Sequence, residues 1–308
     1  MNGILPLYKP KGMTSHDCVA KIRKLTRQRK IGHTGTLDPD AVGVLPICLG
    51  KATKIVQYMS ADTKMYEAEI TLGTSTTTED RSGEVVAEQN IGRPLAREEI
   101  VAALRKWTGP IEQTPPMYSA VKVRGKRLYE YAREGIEVER PKRAVTIFEL
   151  TLLDDRRQFS GERISFSVRV RCSKGTYIRT LASDIGATLG YPAHMSQLTR
   201  TASGPFTVDD CLTLSEVERS AGDNTLSSKL FPLDKGLSSF KRLVVDEKTA
   251  KKIVNGNVLP FPQGMKDGRF TVYNEEGTLL AIYRRHPAKP GWMKPEKVLY
   301  TALKQGFD

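Results

Sequence analysis

The sequence predicts a protein of the α+β class, because helical spacing and strand alternation both occur along its 308 residues. Apolar residues recur every three or four positions in the segments 18–25, 100–107 and 178–189, which indicates amphipathic helices. Apolar and polar residues alternate in the segments 66–72 and 166–172, which indicates strands with one buried face. A chain of this length forms one large domain or two.

Composition narrows the class of protein further. The net charge of +13 favours a polyanionic partner, and nucleic acid is the commonest one, although many soluble proteins are simply basic. No apolar run approaches the length of about 18 residues that a membrane helix needs, and the first residues do not resemble a signal peptide. The four cysteines and four histidines show no metal-ligand or disulfide spacing. We therefore expect a cytoplasmic protein without a metal or a membrane anchor.

The segment 32–46 is the most unusual stretch of the chain. It contains three glycines, two prolines, His33 and two carboxylates, Asp38 and Asp40. Glycine permits positive φ, and Pro39 biases Asp38 toward an extended conformation. The composition predicts a stiff, exposed loop that holds one or both carboxylates in a defined place. An ordinary surface turn explains the same residues equally well.

A nucleotide-binding loop is excluded nearby. The run Gly50-Lys51-Ala52-Thr53 resembles part of a phosphate-binding P-loop. Leu45 stands where that motif needs its first glycine, and Ala52 stands where it needs a hydroxyl group. The sequence therefore argues against a nucleoside triphosphatase.

The segment 114–143 is predicted to be an exposed, partly helical insertion that binds RNA. It carries eight basic residues, among them Lys122, Arg124 and Lys126, against four acidic ones, and tyrosines lie between them. Basic side chains interleaved with aromatic rings suit RNA, whose phosphates and unstacked bases are bound together.

Two further side chains have both a structural and a functional interpretation. Tyr66 opens the apolar face of its strand, so its ring either belongs to the core or stacks on a base. Arg179 lies between a strand and a helix, where a rigid backbone could direct it to a carboxylate. A lone arginine is otherwise a solvated surface residue.

The last part of the chain, 241–308, forms a separate basic unit. It contains thirteen Lys or Arg and seven Asp or Glu, a net charge of +6. Three short strand patterns separated by glycine turns predict a compact β-rich unit that assists RNA binding.

Several motifs together resemble one family along essentially the whole chain. They are Lys9-Pro10-Lys11-Gly12-Met13-Thr14-Ser15, Gly32-His33-Thr34-Gly35-Thr36-Leu37-Asp38-Pro39, Lys64-Met65-Tyr66, Thr78-Glu79-Asp80, Lys174-Gly175-Thr176-Tyr177-Ile178-Arg179 and Leu198-Thr199-Arg200. Each motif alone is weak evidence, but their order and spacing are specific. The sequence resembles the TruB family of tRNA pseudouridine-55 synthases.

The resemblance implies a fold and a function. The expected fold is a mixed, largely antiparallel sheet flanked by helices, with a catalytic domain at 1–240 and a PUA-like RNA-binding domain at 241–308. The expected activity converts uridine 55 in the T-loop of tRNA to its C-glycosidic isomer, by base flipping and without a cofactor or metal. The expected partner is the T-arm of tRNA, bound by a monomer that needs no protein partner.

Residue roles follow from matching motif positions. Asp38 corresponds to the catalytic aspartate, whereas Asp40 falls outside the matched positions. Tyr66 corresponds to the tyrosine that stacks on the target base, and Arg179 to the arginine that pairs with the catalytic carboxylate. The remaining matches are substrate-binding positions: His33, which fills the space that the flipped nucleotide leaves, and the pocket residues Asp80 and Leu198. The insertion resembles the family's mobile RNA clamp.

Some chemistry stays open at this level. Asp38 could attack C1′ of the ribose, attack C6 of the base, or abstract a proton on a route through a glycal. The base that removes the C5 proton is not assigned. An RNA-folding factor with secondary catalysis, or a guide-RNA-dependent relative, are alternative functions for the same basic surfaces.

Overall fold

The computed structural model describes residues 1–300, so the last eight residues of the predicted unit 241–308 lie outside the described part. The first strands are β1 (Gly3–Lys9), β2 (Ile31–His33), β3 (Val42–Leu49), β4 (Lys64–Leu72), β5 (Thr74–Thr76), β6 (Val85–Glu88), β7 (Leu95–Ala96) and β8 (Gly109–Gln113). They are followed by β9 (Lys122–Val123), β10 (Lys126–Arg127), β11 (Arg143–Leu152), β12 (Gln158–Phe159), β13 (Ile164–Cys172), β14 (Ala193–Ser203) and β15 (Phe206–Thr207). The last strands are β16 (Lys241–Val245), β17 (Leu259–Pro260), β18 (Arg269–Asn274), β19 (Leu279–Arg285) and β20 (Trp292–Val298).

The helices connect these strands. They are α1 (Ser15–Thr26), α2 (Val56–Met59), α3 (Arg97–Lys106), α4 (Leu128–Arg133), α5 (Ile178–Leu189), α6 (Leu214–Gly222) and α7 (Glu247–Val254). Short 3₁₀ helices cover Gly50–Ile55, Val208–Asp210, Leu226–Lys229 and Lys235–Leu237. Within residues 1–300, none of the helices combines the length and apolar content that crossing a membrane requires.

A nine-stranded sheet forms the centre of the molecule. Its main path runs β1-β3-β14-β4-β13-β11-β8, and β2 and β15 pair with β3 and β14. Neighbouring strands are antiparallel except β14 and β3, which are parallel where Arg200 lies opposite Gly43. The predicted α+β class with a mixed, largely antiparallel sheet is therefore confirmed.

The two central strands, β4 and β13, follow the predicted alternation. In both, every second side chain is buried, from Lys64 to Leu72 and from Ile164 to Cys172. These buried positions pack with apolar residues of α3 and α5 into one core cluster. A second cluster joins α1 and α6 to β1 and β3. Burial of apolar area on both faces holds the sheet in place.

Helix α1 covers the predicted helical segment 18–25 and begins with a capped first turn. Thr14 is the N-cap, and its hydroxyl accepts a hydrogen bond from the amide of Asp17, whose carboxylate accepts from the Thr14 amide in return. This reciprocal capping satisfies two amides that a helix start leaves unpaired. Cys18, Val19 and Ile22 are buried, as their spacing predicts.

The predicted loop 32–46 is wrong at both ends. Strand β2 extends to His33 and β3 begins at Val42, so the loop, which we call the Asp38 loop, covers residues 34–41. Pro46 lies inside β3, opposite Pro6 of β1, and its carbonyl accepts from the Thr34 amide at 3.1 Å. Proline is tolerated there because no partner needs its missing N–H, and the apolar run around it is buried.

Two other boundaries are visible only in the structure. Helix α3 ends at Lys106, within the predicted helical segment 100–107, and Gly109-Pro110 starts strand β8. The stretch after Pro205, for which we predict no element, contains α6, whose N-cap Thr213 forms a capping box with Glu216. Local capping chemistry predicts this helix better than its apolar spacing does.

The C-terminal part forms its own sheet, in the order β16-β18-β19-β20-β17, with α7 packed against it. Its buried residues form a separate apolar cluster. Ile282 and Leu299 instead pack with Ile4 and Val44 of the central sheet. This part is therefore β-rich, as the fold class predicts, and it is packed on the rest of the chain. The division at 240/241 stays a prediction.

Candidate active site

The Asp38 loop meets the start of helix α5 at an ion pair. Asp38 Oδ2 lies 3.0 Å from Arg179 Nε, and Arg179 Nη2 donates to Asp38 Oδ1 at 3.3 Å. The Arg179 side chain is 5% exposed, whereas that of Asp38 is 38% exposed. The arginine is thus a buried support, and the carboxylate opens toward solvent.

Arg179 is held by backbone groups from two other segments. Its Nη1 donates to the carbonyl of Thr78 at 2.9 Å, and its Nη2 donates to the carbonyl of Tyr118 at 2.9 Å. Asp80 Oδ2 lies 3.8 Å from Nη1. With these partners the guanidinium has little rotational freedom, so the orientation of Asp38 is set by three surrounding segments.

Burial is the largest influence on Asp38 and raises the pKa of its carboxyl group. The positive charge of Arg179 lowers that pKa, and the negative charge of Asp80 raises it again. The resulting pKa lies above the usual value for aspartate, so Arg179 offsets only part of the loss of solvation.

A cavity of about 220 Å³ opens beside Asp38. Its walls come from the Asp38 loop, the start of β3, the segment after β5 and strand β14. The lining residues are Lys11, Asp38, Asp40, Ala41, Val42, Asp80, Arg81, Met195, Ser196, Gln197, Leu198 and Thr199. The structure therefore brings Asp38, Asp80 and Leu198 to one cavity, and their roles in catalysis and substrate binding stay predictions.

Tyr66 does not line this cavity. Its side chain is 9% exposed and belongs to the core cluster that contains Leu37 and Ala41. Ala41 lines the cavity, whereas Tyr66 is not among the lining residues. Burial raises the pKa of the Tyr66 hydroxyl, so it is neutral at physiological pH. In this conformation the ring of Tyr66 is part of the hydrophobic core.

His33 also lies outside the cavity lining. It ends β2, just before the Asp38 loop, and is half-buried. Burial lowers the pKa of its imidazole, which favours the neutral ring. Its Nδ1 atom is buried without a hydrogen-bond partner within residues 1–300.

Three predicted RNA-binding residues of the insertion, Lys122, Arg124 and Lys126, lie on a short hairpin, and none of them lines the cavity. Strands β9 and β10 join through Arg124 and Gly125, whose φ values of 50° and 87° suit a tight turn. Lys122 and Arg124 are exposed. Lys126 is paired with Glu134 and lies 4.9 Å from the centre of the Tyr131 ring. The predicted insertion is thus partly helical and largely exposed, and two of these three cations are open to solvent.

The insertion is nevertheless tied to the ion pair. The Gln113 side chain accepts from the Tyr177 amide at 2.9 Å and donates to the Tyr177 carbonyl at 3.1 Å. Tyr177 caps the start of α5, two residues before Arg179. Gln113 thus holds the start of α5, and the carbonyl of Tyr118 binds Arg179 directly. The base of the insertion therefore helps to fix both the backbone position and the side-chain orientation of Arg179.

Two buried cations that the residue patterns did not assign a role support the Asp38 loop. Lys9 is fully buried, and its Nζ donates to the carbonyls of Pro10, Met13 and Pro39 at 2.6–2.9 Å. Arg200 is 1% exposed and donates to the carbonyl of Val44 at 2.7 Å, with the Gly35 carbonyl at 3.2 Å. Both belong to quoted motifs, but neither spacing nor composition indicates that they would be buried.

Gly43 permits the close approach of Arg200. Its φ is +106°, and a Cβ atom there would lie 2.2 Å from the carbonyl oxygen of Arg200. No other residue fits such a contact without a backbone shift. The parallel step between β3 and β14 therefore requires this glycine.

Glu79 is a third residue to which the sequence assigned no role. It has a φ of +62°, unusual for a residue with a side chain, and its carboxylate accepts from the Thr180 hydroxyl at 2.6 Å. Its carbonyl accepts from the Met195 amide at 3.0 Å. Glu79 thus fastens the segment that carries Asp80 to both α5 and β14.

We searched the described residues for side chains that could bind a metal ion. Over the described part of the chain, His, Cys, Asp and Glu side chains form no group of three that is arranged to hold a metal ion. The chemistry that these residues offer is that of a carboxylate beside a buried guanidinium.

Two sequence profiles match most of this chain. One, described as "TruB family pseudouridylate synthase (N terminal domain)", matches residues 23–178. The other, described as "tRNA pseudouridylate synthase B C-terminal domain", matches residues 179–238. The two matches meet between Ile178 and Arg179, and the first contains Asp38. They place the chain in the class of the pseudouridylate synthases.

Curated relatives of high identity define the family more closely than the two profiles do. The chain is 58% identical over 300 residues to "tRNA pseudouridine synthase B" of Geobacillus thermodenitrificans, a match covering 97% of this chain and 99% of that relative. It is 57% identical over 299 residues to the protein of the same name from Bacillus cytotoxicus, covering 97% of both. The chain belongs to the TruB family.

Solved structures share the fold. A chain in "Crystal Structure of a Cbf5-Nop10-Gar1 Complex" superposes with a TM-score of 0.73 at 28% identity, covering 97% of this chain and 85% of that one. A chain in "Structure of H/ACA RNP bound to a substrate RNA containing 2'-deoxyuridine" gives a TM-score of 0.72 at 24% identity, with the same coverage. The expected family fold is confirmed.

Substitution of Arg200 by Met should lower the free energy of unfolding by about 3 kcal/mol or more, because it leaves buried carbonyls without donors. Denaturant unfolding measures this loss, and amide exchange of Thr36 and Leu37 should become faster. Arg169→Met is the control, since Arg169 is 43% exposed and pairs with Glu67 at the surface. Its loss should stay below about 1 kcal/mol. Equal losses in both variants would contradict a special role for Arg200.

Proposed function

We propose that this chain isomerises uridine 55 in the T-loop of tRNA to pseudouridine, with Asp38 as the catalytic residue. The observation that carries the proposal is the Asp38–Arg179 ion pair, 3.0 Å long, at the mouth of a cavity of about 220 Å³. The name "tRNA pseudouridine synthase B" of relatives that are 57–58% identical supports the choice of substrate.

The target base has to leave its stack before Asp38 can reach it. Unstacking costs a few kcal/mol, which a closed, partly apolar pocket offsets. Ala41, Met195 and Leu198 supply apolar wall in the cavity, and Asp38 and Asp80 supply polar groups. We assign the cavity to the flipped uracil.

The reaction only rearranges the nucleotide. The bond between N1 and C1′ breaks, the uracil turns, and a bond between C5 and C1′ forms. The C5 proton is lost and N1 gains a proton, so no atom of the RNA is transferred to another molecule. An ionised Asp38 can act as nucleophile and divide this difficult exchange into easier steps.

Arg179 keeps Asp38 usable in this role. Its ion pair and its hydrogen bond with the carboxylate act against the burial that raises the pKa of Asp38. Its bonds to the carbonyls of Thr78 and Tyr118 prevent it from turning away. The carboxylate is therefore held in one orientation before substrate arrives.

Tyr66 and Leu198 are proposed to surround the displaced base, and His33 to fill the space that the base leaves in the RNA. Leu198 already lines the cavity, while Tyr66 belongs to the same core cluster as Leu37 and Ala41 of the Asp38 loop. We propose that the Asp38 loop shifts when RNA binds, which exposes the Tyr66 ring to the uracil. The half-buried, neutral His33 can enter the vacated space in the RNA with a small loss of solvation.

The remaining surfaces are proposed to bind the rest of the tRNA. We assign residues 1–240 to catalysis, the insertion at 114–143 to clamping the T-arm, and residues 241–308 to accessory RNA binding. The protein acts as a monomer in the cytoplasm and needs neither a cofactor nor a protein partner. The connection from the insertion through Gln113 to Arg179 allows RNA binding at the clamp to affect the catalytic pair.

Asp38→Asn should reduce pseudouridine formation on a bare T-arm stem-loop by roughly 10³-fold or more, because the amide cannot act as a nucleophile. Mapping of pseudouridine in that transcript measures both the rate and the position. Asp40→Asn is the matched control, since Asp40 lines the same cavity but is exposed and outside the ion pair. A normal rate in Asp38→Asn, or modification at another uridine, would refute the proposal.

Asp80→Asn should move the acidic limb of the kcat/KM profile to lower pH. The active form of Asp38 is ionised, so activity is lost as the pH falls through its raised pKa. Asp80 contributes to raising that pKa, and removing its charge therefore lowers it. The comparison is with Asp40→Asn, which should leave the limb near its original pH. A shift of the limb to higher pH in Asp80→Asn would contradict this electrostatic account.

Replacing Lys122, Arg124 and Lys126 by Gln should weaken tRNA binding and reduce the slope of log affinity against log salt by about 2. Each phosphate contact on duplex RNA contributes roughly one unit of slope, and Lys126 is already paired with Glu134. The control replaces Arg93, Arg156 and Arg163, which pair with surface carboxylates, by Gln. An equal change of slope in both triple variants would show that the insertion is not part of the tRNA-binding surface.

A further inference from the structure

Glu79 differs from the other residues of this chain that have an unusual backbone conformation. Within residues 1–300, four non-glycine residues have a positive φ: Arg27, Glu79, Arg124 and Asn224. The other three are exposed, whereas Glu79 is half-buried. Glycine or asparagine would adopt this conformation at a lower cost, so the glutamate needs compensation from its side-chain contacts. Residues held in such conformations cluster at functional sites, and the contacts of Glu79 show what it holds.

The side chain of Glu79 is bonded to helix α5. Its Oε2 atom accepts a hydrogen bond from the Thr180 hydroxyl at 2.6 Å, and Thr180 is only 8% exposed. The bond is therefore shielded from water, which strengthens it relative to a bond at the surface. Thr180 directly follows Arg179 in α5, so Glu79 is joined to the neighbour of the arginine that pairs with Asp38.

The residues on both sides of Glu79 contact Arg179 itself. The Thr78 carbonyl accepts from Arg179 Nη1 at 2.9 Å, and Asp80 Oδ2 lies 3.8 Å from the same nitrogen. Residues 78–79 therefore meet residues 179–180 through two adjacent hydrogen bonds. A single bond would leave the segment free to turn about it, whereas two bonds fix its angle to the helix. The Thr78 carbonyl is thus held toward the guanidinium by the bond that Glu79 makes.

The backbone of the same segment is bonded to strand β14. The Glu79 carbonyl accepts from the Met195 amide at 3.0 Å, and the Met195 carbonyl accepts from the Arg81 amide at 3.1 Å. Glu79 therefore bonds to β14 through its backbone and to α5 through its side chain. It connects a wall of the cavity, to which Met195 belongs, with the helix that carries Arg179.

Glu79 acts through other residues. It is not among the residues that line the cavity, and Thr180 is the one hydrogen-bond partner of its carboxylate over the described chain. The charged groups with the largest effects on the pKa of Asp38 are Arg179, Asp80 and Lys9. The influence of Glu79 on Asp38 is therefore one of geometry, transmitted through the orientation of Arg179.

We propose that Glu79 is a positioning residue for the isomerisation. Its bond to Thr180 holds the Thr78 carbonyl against Arg179, and this carbonyl keeps the guanidinium in the orientation that presents Asp38 for attack. The inference rests on the proposed function, since it concerns the same carboxylate. It deepens that function by naming a contact outside the cavity on which the rate of the chemical step depends.

Turnover of a T-arm stem-loop tests the contact. Glu79→Gly should lower kcat about tenfold and leave KM within about twofold, because a misplaced carboxylate slows the chemical step without removing RNA contacts. Thr180→Val should cause a similar loss without a change to the backbone at residue 79. Glu79→Gln and Thr180→Ser should keep kcat within about twofold, since an acceptor and a donor remain. Normal kcat in both the Gly and Val variants, or equal losses in Glu79→Gln and Glu79→Gly, would overturn the proposal.

The urea midpoint of unfolding separates positioning from general destabilisation. Glu79→Gly also relieves the positive φ, so its midpoint should stay near that of the unsubstituted protein while kcat falls. Asn224→Gly is the matched control for glycine at a positive φ, since Asn224 has a φ of +58° and is exposed; its kcat should be unchanged. The double variant Glu79→Gly/Thr180→Val should lose no more kcat than either single variant, because both remove one bond. Losses that multiply, or that occur only where the midpoint falls, would contradict the inference.

The pKa of Asp38 is a readout that a purely structural role of Glu79 would not change. Arg179 lowers this pKa, so a guanidinium that is no longer held in place should let it rise. Burial and the charges of Asp80 and Lys9, the other influences, are not altered by the substitution. The acidic limb of the kcat/KM profile should therefore move to higher pH in Glu79→Gly and stay in place in Glu79→Gln. An unmoved limb in Glu79→Gly would overturn the proposal.

A measurement without RNA distinguishes this inference from the proposed function. Carbon NMR of labelled aspartate carboxyl groups reports the pKa of Asp38 directly, with Asp38→Asn assigning its signal. If that pKa is higher in Glu79→Gly while the unsubstituted protein forms no pseudouridine, the proposed function fails and the positioning of the ion pair by Glu79 stands. If the unsubstituted protein forms pseudouridine and Glu79→Gly has a normal kcat and an unchanged pKa of Asp38, only the role of Glu79 is refuted.

Discussion

The buried guanidinium of Arg179 is the group on which the arrangement of the site depends. A charged side chain that is 5% exposed must have partners on every side, and these come from Asp38, Thr78 and Tyr118. They belong to the loop between β2 and β3, the segment after β5 and the insertion. A buried guanidinium N–H without an acceptor would lower the free energy of unfolding. The hydrogen bonds and the ion pair of Arg179 therefore hold three otherwise independent segments together.

The same physical rule operates below the Asp38 loop. Lys9 and Arg200 are buried cations whose donors are satisfied by backbone carbonyls. Carbonyl partners, unlike carboxylates, leave the net positive charge in place, and Lys9 contributes to lowering the pKa of Asp38. These two side chains hold the loop in place, and the positive charge of Lys9 also favours the ionised form of Asp38. Arg200 can approach this closely because Gly43 has no side chain.

The proposed RNA contacts and the candidate catalytic pair occupy different parts of this fold. Lys122, Arg124 and Lys126 of the insertion lie on a short hairpin, while the base of the insertion is bonded to the start of α5. The C-terminal sheet packs on the central domain through Ile282 and Leu299. We propose that this separation allows phosphate binding to orient the RNA while one small cavity acts on a single base.

The sequence by itself determined the helices and strands that have strong periodicity, such as β4, β13 and α5, because burial of one face is a local pattern. Its motifs also selected Asp38 over Asp40 and named Arg179 as its partner. Only the tertiary structure decided that the Asp38 loop ends at β3 before Pro46, that Tyr66 is buried in the core outside the cavity lining, and that Lys9, Arg200 and Glu79 support the site. These features depend on contacts such as that between Asp38 and Arg179, which are 141 positions apart, and local spacing carries no information about which distant carbonyl or carboxylate satisfies a buried charge.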